Sequence, residues 1–304
     1  MKNTIIALFF IILIGAGGYY YLKIMPHTAD AVQPADQTPP APVVATTTVQ
    51  DQPALESNET VIGTSVQRRN ISAFQYGAGA KKIVFVGGIH GGYEWNTVLV
   101  AYQLMDYLKA NPSAIPNGVE VTVIPVLNPD GLNKVVGKAG RFEAVDVPPS
   151  QDTQVSGRFN ANGVDLNRNF DCDWQPSGMW QNTAVDGGNA VFSEPESQAF
   201  QTFVGTYKPT AVVGYYSAAG GVYSSSCDGA VSSMTKTLTN TYATASGYPA
   251  HATFDSYAIT GDMENWLAKS NIPAISVLLT NHTDTEWDKN LAGVRALLSY
   301  YSQK

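Results

Sequence analysis

The chain has 304 residues, of which 44% are hydrophobic and 14% are charged, and its formal net charge is −7. Binding to a polyanion requires grouped Lys and Arg side chains, and the sequence has no such cluster, so no nucleic acid is expected as a partner. The length and hydrophobic content suffice for one main domain with a sizeable core.

The first predicted element is a membrane segment. Residues Ile5 to Leu22 carry no charged side chain and are flanked by Lys2 and Lys23, and their number is about the minimum for a helix that crosses a bilayer. We predict a signal-anchor over residues 1–25, which places a single-pass protein in the cell membrane with its domain outside the cytoplasm. A cleaved signal peptide and a secreted protein are the alternative, although Gly15 to Gly18 offers no clear Ala-x-Ala site.

Residues 26–60 are predicted to be a disordered linker between the membrane and the domain. This stretch is rich in Pro, Ala, Thr and Gln, and such a composition buries too little apolar surface to offset the entropy of ordering. The domain is therefore expected over residues 61–304.

In the domain, short apolar runs alternate with helix-like stretches, which predicts an α/β sandwich with a parallel or mixed sheet. The predicted strands include Ile83 to Val86, Val121 to Val126, Ala211 to Val213 and Ala274 to Leu279, and the predicted helices include Thr97 to Lys109 and Asp288 to Tyr300. Another helix is expected after Ser193 as N-cap, with Pro195 in its first turn and Glu196 closing a capping box.

Cys172 and Cys227 are the only cysteines. In an oxidising compartment an even number of cysteines permits a disulfide, which we predict here. Two unpaired buried thiols are the alternative.

A first candidate site follows the strand that ends at Val86. His90 and Glu94 are four residues apart in HGGYE, and on a helical turn their side chains face one point. An imidazole nitrogen and a carboxylate oxygen are suitable zinc ligands, although a His and a Glu at this spacing also occur as a simple surface contact.

Further motifs follow in a distinctive order. They are NPDG at Asn128 to Gly131, GVDLNRNF at Gly163 to Phe170, FSEPES at Phe192 to Ser197, YYSAAGGVY at Tyr215 to Tyr223 and SYAITGDMENW at Ser256 to Trp266. Together with HGGYE, this ordered set resembles the zinc carboxypeptidases of the carboxypeptidase A type. The resemblance implies a three-layer α/β/α sandwich around a central mixed sheet of about eight strands, and one zinc ion held by His90 and Glu94.

The resemblance also assigns substrate-binding residues. Asn167 and Arg168 match the pair that holds the C-terminal carboxylate of the substrate, a task that suits a guanidinium fork. The alternative for Arg168 is a structural ion pair with Asp165 or Asp171.

Arg158 resembles the arginine that stabilises the oxyanion of the reaction, and Arg141 is the alternative for this role. Tyr257 matches the tyrosine that closes over bound substrate. Glu264 matches the base of the specificity pocket, where a carboxylate would favour a basic or amino-bearing terminal residue.

Two positions depart from the family pattern. Tyr216 stands where the third zinc ligand is a histidine, and Leu278 stands where the general base is a glutamate. We retain Tyr216 as a candidate metal ligand, with His251 and His282 as alternatives, and Glu286 as the candidate base, with helix capping as its alternative role.

Two functions follow from this pattern. The first is zinc-dependent removal of a C-terminal residue from peptides or cell-wall stem peptides by a monomeric exported enzyme. The second is a catalytically impaired pseudopeptidase that binds peptide or peptidoglycan C-termini, because the carboxylate-binding residues are present while a ligand and the base are replaced.

Overall fold

The computed structural model describes residues 58–304. Among these residues, no helix has the length and apolar character needed to span a membrane. The predicted signal-anchor at Ile5 to Leu22 lies outside the described residues, as does most of the predicted linker. The first strand begins at Glu59, so the last two residues assigned to the linker belong to the sheet.

Eight strands form one mixed sheet, as the family resemblance implies. The strand order is β1-β2-β4-β3-β7-β10-β8-β9, and the four central strands β4, β3, β7 and β10 run parallel. The strands of this sheet are β1 (Glu59–Thr64), β2 (Asn70–Gly77), β3 (Lys81–Val86), β4 (Val119–Ile124), β7 (Ala211–Ser217), β8 (Gly221–Ser224), β9 (Ala250–His251) and β10 (Ala274–Leu279), and β5 (Ser177–Trp180) and β6 (Thr183–Asp186) form a separate hairpin.

Helices cover both faces of the sheet. They are α1 (Trp95–Ala110), α2 (Pro129–Val136), α3 (Gln151–Ser156), α4 (Pro195–Tyr207), α5 (Ser233–Ser246), α6 (Met263–Lys269) and α7 (Trp287–Ser302). Alternate residues of β3 enter different cores: Phe85 packs with the cluster of α1, α5 and α7, and Val84 with that of α4 and α6. A central strand buried on both faces explains the continuous apolar run in its sequence, and the three-layer sandwich is confirmed.

The predicted start of α4 is wrong by one residue. The helix begins after Glu194, although Pro195 does lie in the first turn. The Ser193 hydroxyl donates a hydrogen bond to Glu194, and Glu196 accepts hydrogen bonds from Val66 and Asn160. Both side chains are therefore occupied by tertiary contacts, and the predicted capping box does not form.

Cys172 and Cys227 form a disulfide, which confirms the prediction. Cys172 lies four residues after Arg168, and Cys227 follows a stretch after β8 that lines the candidate cavity. The bond thus joins two segments next to this cavity and restricts their separation in the unfolded chain.

Candidate functional site

A cavity of about 450 Å³ lies at the carboxyl ends of the central strands. Ligands of open α/β sheets bind at this edge, because the loops that leave parallel strands converge there. Eight of the predicted site residues line the cavity, namely His90, Glu94, Arg158, Asn167, Arg168, Tyr216, Tyr257 and Glu264. Glu286 is the predicted site residue that does not line it.

The turn after β3 brings His90 and Glu94 together. Gly88 adopts a φ of 62°, which favours glycine, and a Cβ at this position would crowd Val98. His90 Nδ1 lies 3.0 Å from Glu94 Oε1, and both side chains are almost fully buried. The extra residue in HGGYE therefore does not separate the two candidate ligands.

The His90 and Glu94 pair fits a zinc ion. Two ligand atoms around tetrahedral zinc lie roughly 3.3 Å apart, close to the observed separation. Neither imidazole nitrogen of His90 makes a well-directed hydrogen bond, and Glu94 Oε2 is buried without a partner. Asp165 Oδ1 lies 3.3 Å from His90 Nε2, the position of a carboxylate that orients a metal-binding histidine.

Arg158 is buried beside this pair. Its Nε and Nη2 donate hydrogen bonds of 3.0 and 2.7 Å to Asp165 Oδ2, and its guanidinium lies 4.6 Å from the centre of the Trp180 ring. Burial alone would raise the pKa of Asp165, but Arg158 and His90 outweigh burial and hold this pKa far below its ordinary value. Arg141, the alternative, lies outside the cavity and binds Asp106.

Arg168 is a buried cation that interacts electrostatically with the buried Asp262 but forms no direct ion pair among the described residues. Its Nη1 and Nη2 donate to the carbonyl oxygens of Asn167 and Met179, both at 2.6 Å, and its Nε has no partner. Among the ion pairs of residues 58–304, none involves Arg168, because Asp165 pairs with Arg158 and Asp171 with Lys269. A buried cation of this kind favours an anionic ligand.

Tyr216 does not fit as a zinc ligand. Its hydroxyl donates a 2.7 Å hydrogen bond to Glu264 Oε2 and lies 3.4 Å from Asn167 Oδ1. Burial and the neighbouring Glu264 raise the pKa of Tyr216 well above its ordinary value, so a metal bound by this phenol would have to displace a strongly held proton. The structure thus gives no support to Tyr216 as the third ligand.

The histidines nominated as alternatives lie in different surroundings. His282 lines the cavity, packs 4.6 Å from the Tyr93 ring and leaves Nδ1 without a partner. His251 lies outside the cavity and stacks on Tyr223. Across residues 58–304, the one trio of His, Cys, Asp or Glu side chains close enough to hold a metal contains the disulfide cysteines. Burial lowers the pKa of His282, and Glu94 and His90 also act on this pKa, so His282 lies near the candidate ligand pair.

Leu278 faces the cavity where the family pattern has a general base. It pairs in register with Tyr216 on the neighbouring strand, and both side chains belong to the same core cluster. Positions 216 and 278 are therefore side by side on one face of the sheet.

Glu286 is bound elsewhere. Its carboxylate accepts hydrogen bonds from Tyr248, from the backbone and hydroxyl of Thr280, and from Lys289. These contacts tie the loop after β10 to the start of α7, although the Glu286 side chain does not cap the helix. The geometry supports neither the general-base role nor side-chain capping.

Glu264 and Asp262 are two buried carboxyl groups at the end of the cavity. Burial raises the pKa of Asp262 to about 6. The pKa of Glu264 is raised well above its ordinary value by burial and by the nearby charge of Asp262. Among residues 58–304, Glu264 Oε1 and Asp262 Oδ1 lack a well-directed hydrogen bond, although Ser276 is close enough to Glu264 to act on its pKa. A Cβ at Gly214 would collide with Glu264 Oε1, so this glycine makes room for the carboxyl group.

We expect Glu264→Gln to stabilise the domain at neutral and alkaline pH. An acid with a raised pKa in the folded state contributes stability that is lost as the pH rises through that pKa. As the pH rises from below the ordinary pKa of a glutamate through the raised pKa of Glu264, the natural protein should therefore lose more free energy of unfolding than the variant, by about 1.4 kcal/mol for each pH unit of the shift. Urea unfolding at several pH values measures this difference, and parallel pH profiles would contradict it.

Several contacts in the cavity were not predicted from the sequence. The sequence suggests Asp165 only as a partner of Arg168, although its place within GVDLNRNF is a signal that it serves the site. Asp262 precedes Glu264 by two residues in a motif already noted. Trp180 lies on the β5–β6 hairpin and carried no sequence signal.

Comparisons with known proteins identify the family of this chain. Residues 46–286 match the family described as zinc carboxypeptidase. Gamma-D-glutamyl-L-diamino acid endopeptidase 1 of Lysinibacillus sphaericus is 31% identical over 161 residues, which are 46% of this chain and 40% of that protein. Carboxypeptidase Z of Homo sapiens is 30% identical over 95 residues, which are 29% of this chain and 13% of that protein, so the matches span less than half of either relative.

Solved structures share the fold at low sequence identity. Murein-tripeptide amidase from Escherichia coli O157 matches with a TM-score of 0.57 at 20% identity, over 81% of this chain and 93% of that one. Thrombin activatable fibrinolysis inhibitor matches with a TM-score of 0.65 at 16% identity, over 81% and 69% of the two chains. From its family match, its eight-stranded sheet and the motifs gathered in one cavity, the chain belongs to the zinc carboxypeptidase family.

Proposed function

We propose that this protein binds the free C-terminus of a peptide or cell-wall stem peptide and does not hydrolyse it at the rate of a complete metallocarboxypeptidase. The observation that carries the proposal is Arg168, a buried guanidinium in the cavity with no carboxylate among its partners in residues 58–304. A terminal carboxylate supplies the missing negative charge.

The neighbours of Arg168 suit this role. Tyr257 places its ring 5.9 Å from the guanidinium carbon and lines the same cavity, so it can cover a bound terminus. Asn167 accepts a hydrogen bond from the backbone of Met263 through Oδ1, which fixes its side chain and leaves the amide nitrogen to donate to a carboxylate.

The replaced residues argue against efficient hydrolysis. Leu278 cannot accept a proton from water, and loss of a positioned acid or base costs roughly 10²- to 10⁴-fold in rate. The Tyr216 hydroxyl is bound to Glu264, so a protonated phenol stands where the family pattern has the third zinc ligand.

Cell-wall peptides are the proposed ligands because two similar proteins are named for acting on peptides of this kind. One is named for a bond to an L-diamino acid and another for a murein tripeptide. A diamino acid carries an amino group on its side chain, and the buried Glu264 and Asp262 offer carboxylate oxygens to such a group.

The proposed location follows from the sequence. The apolar segment at Ile5 to Leu22 supports an exported domain anchored in the membrane. The Cys172–Cys227 disulfide is in keeping with an oxidising compartment outside the cytoplasm.

Arg168→Met tests the proposed binding. We expect the variant to lose at least ~30-fold in affinity for a lysine-ended peptide, since removal of one partner of a buried ion pair costs about 2–5 kcal/mol. Isothermal titration calorimetry measures the affinity. Arg141→Met is the matched control, because that guanidinium lies at the surface outside the cavity. Equal affinities of the two variants would refute the proposal.

Hydrolysis is the second candidate function, favoured by the His90, Glu94, Asp165 and Arg158 cluster. Zinc bound there would polarise the scissile carbonyl and activate a water molecule. Arg158 would stabilise the oxyanion, and Arg168 would hold the terminus. Release of the terminal amino acid by zinc-loaded protein, measured by chromatography, separates this candidate from binding alone.

A further inference from the structure

We infer that the Cys172–Cys227 disulfide positions the end of the cavity where Arg168 lies, so that reduction of this bond weakens peptide binding and leaves the zinc-binding pair unchanged. The inference rests on the proposed binding of peptide C-termini. It gives the disulfide a part in ligand recognition beyond its contribution to stability, and it makes the affinity of the site depend on the redox state of the compartment.

Cys172 belongs to the segment that carries Arg168. The Phe170 N–H donates a 2.9 Å hydrogen bond to the carbonyl oxygen of Gly261, and the Gly261 N–H donates one of 2.6 Å to that of Cys172. A Cβ at Gly261 would lie 2.4 Å from the carbonyl oxygen of Arg168, so the two backbones are in direct contact. A displacement of Cys172 would therefore reach both Arg168 and Gly261.

Gly261 lies in a second wall of the cavity. Residues 252–262 form neither helix nor strand, and Tyr257 and Asp262 of this stretch line the cavity. The Tyr257 ring lies 5.9 Å from the guanidinium carbon of Arg168. An irregular segment depends on contacts with its neighbours for its position, and the hydrogen bonds to the segment of Cys172 supply such contacts.

Cys227 belongs to a third wall. Residues 224–226 line the cavity directly before Cys227. The Ser226 N–H donates a 2.9 Å hydrogen bond to Oδ1 of Asn265, which lines the cavity too. The disulfide is thus a covalent link between the wall that contains Arg168 and the wall formed by residues 224–226.

The backbone beside each cysteine adopts a conformation that the local sequence does not favour. Asp173 and Asp228 directly follow the two cysteines, and their φ angles are 50° and 54°. Residues other than glycine adopt such angles only rarely. Without the covalent link, both turns can relax to negative φ, which would displace the adjacent walls of the cavity. A preformed site binds its ligand at a lower entropic cost than a mobile one.

The disulfide is open to a reductant at Cys227, which is half-buried, whereas Cys172 is 3% exposed. One thiolate of a dithiol attacks Cys227 Sγ, the bond between the cysteines breaks, and the Cys172 sulfur leaves and takes up a proton. The second thiolate of the reductant then releases Cys227, which is also protonated. The dithiol is oxidised to a disulfide, and its two electrons and two protons end on the cysteines.

The test measures peptide binding by calorimetry with a lysine-ended free-acid peptide. Three forms of the full chain are compared: the oxidised natural protein, the natural protein reduced by dithiothreitol, and a double variant with Cys172→Ser and Cys227→Ser. We expect the reduced protein and the double variant to bind the peptide roughly 10-fold more weakly than the oxidised protein. Reoxidation of the natural protein should restore its affinity.

Zinc is titrated into the oxidised protein and into the double variant. The two affinities should be equal, because His90 and Glu94 lie on the turn after β3, which the disulfide does not join. The reduced natural protein is not used for this titration. Once reduced, Cys172, Asp173 and Cys227 are close enough together to bind zinc themselves.

Leu108→Ala is the control for a general loss of stability. Leu108 is buried in the core beneath α1 and lies outside the cavity. Its truncation destabilises the fold, as does removal of a disulfide. This variant should keep the natural affinities for peptide and zinc. The thermal midpoint of each protein shows whether it is folded at the temperature of the titration.

The possible failures are distinguishable. Equal peptide affinities of the oxidised and reduced proteins would overturn the inference. An equal loss of zinc and peptide affinity in the double variant would also overturn it, because the disulfide would then stabilise the whole domain and not one end of the cavity. The same holds if Leu108→Ala loses as much peptide affinity as the double variant. Absence of peptide binding by the oxidised natural protein would defeat the proposed function itself.

Discussion

Replacing Asp165 with Asn is expected to destabilise the domain by ~3–5 kcal/mol. Asp165 is fully buried, accepts two hydrogen bonds from Arg158 and also accepts one from the backbone of Asn167. The substitution leaves the Arg158 charge buried, and the nearest other carboxylate, Glu94, is 4.0 Å away. Loss of one partner from a buried ion pair is costly because the remaining charge is shielded from water, and here it keeps only the longer contact to Glu94.

Asp171→Asn is the matched control, because it removes the same kind of group from an exposed pair with Lys269. Exposed pairs contribute little to stability, so this variant should unfold at nearly the natural urea concentration. Similar midpoints for Asp165→Asn and Asp171→Asn would show that the buried network does not stabilise the fold as described.

Combining Tyr216→His with Leu278→Glu is expected to raise peptide hydrolysis by ~10²- to 10⁴-fold or more. The two positions are neighbours on β7 and β10, and both face the cavity. Histidine replaces a phenol that holds its proton, and glutamate introduces the missing base. The rate of terminal lysine release with zinc, measured by chromatography, checks this expectation.

Tyr216→His combined with Leu278→Gln is the control, since glutamine has the size of glutamate and cannot serve as a base. This control should bind zinc more tightly than the natural protein, but its rate of peptide hydrolysis should remain as low as that of the natural protein. Hydrolysis by the natural protein as fast as by the restored variant would show that another residue supplies the base. His282, with its free Nδ1 in the cavity, would then be the first to replace by Ala.

Much of the fold could be predicted from local sequence. The run from Ile83 to Val86 is apolar at every position because β3 lies at the centre of the sheet and is buried on both faces. The N-cap at Ser193 could not be placed in this way. Its hydroxyl interacts with Glu194 and Asn169, which is 24 residues away in sequence, so a tertiary contact determines the helix start.

The site residues that belong to compact motifs could also be predicted from local sequence, whereas the loop residue Glu286 could not. His90, Glu94, Asn167 and Arg168 belong to compact motifs, and the structure brings all of them to one cavity. Glu286 is a candidate from sequence because its loop follows β10, but a loop position does not specify side-chain direction. Hydrogen bonds with Tyr248, Thr280 and Lys289 hold the Glu286 carboxylate outside the cavity.

The hydrogen-bond partner of Tyr216 also could not be predicted from the sequence. A tyrosine at a metal-ligand position indicates a weakened site, but its new partner depends on the space beside Gly214 and the rotamer of Glu264. The two changes at Tyr216 and Leu278 leave the terminus-binding residues intact. This combination is expected of a protein that recognises peptide ends.

The most direct test of this account compares one lysine-ended peptide as a free acid and as its C-terminal amide, by calorimetry with the natural protein. The amide lacks the negative charge that Arg168 is proposed to bind, so the free acid should bind at least ~30-fold more tightly. Equal affinity for the two peptides would contradict the claim that this cavity recognises a free C-terminus.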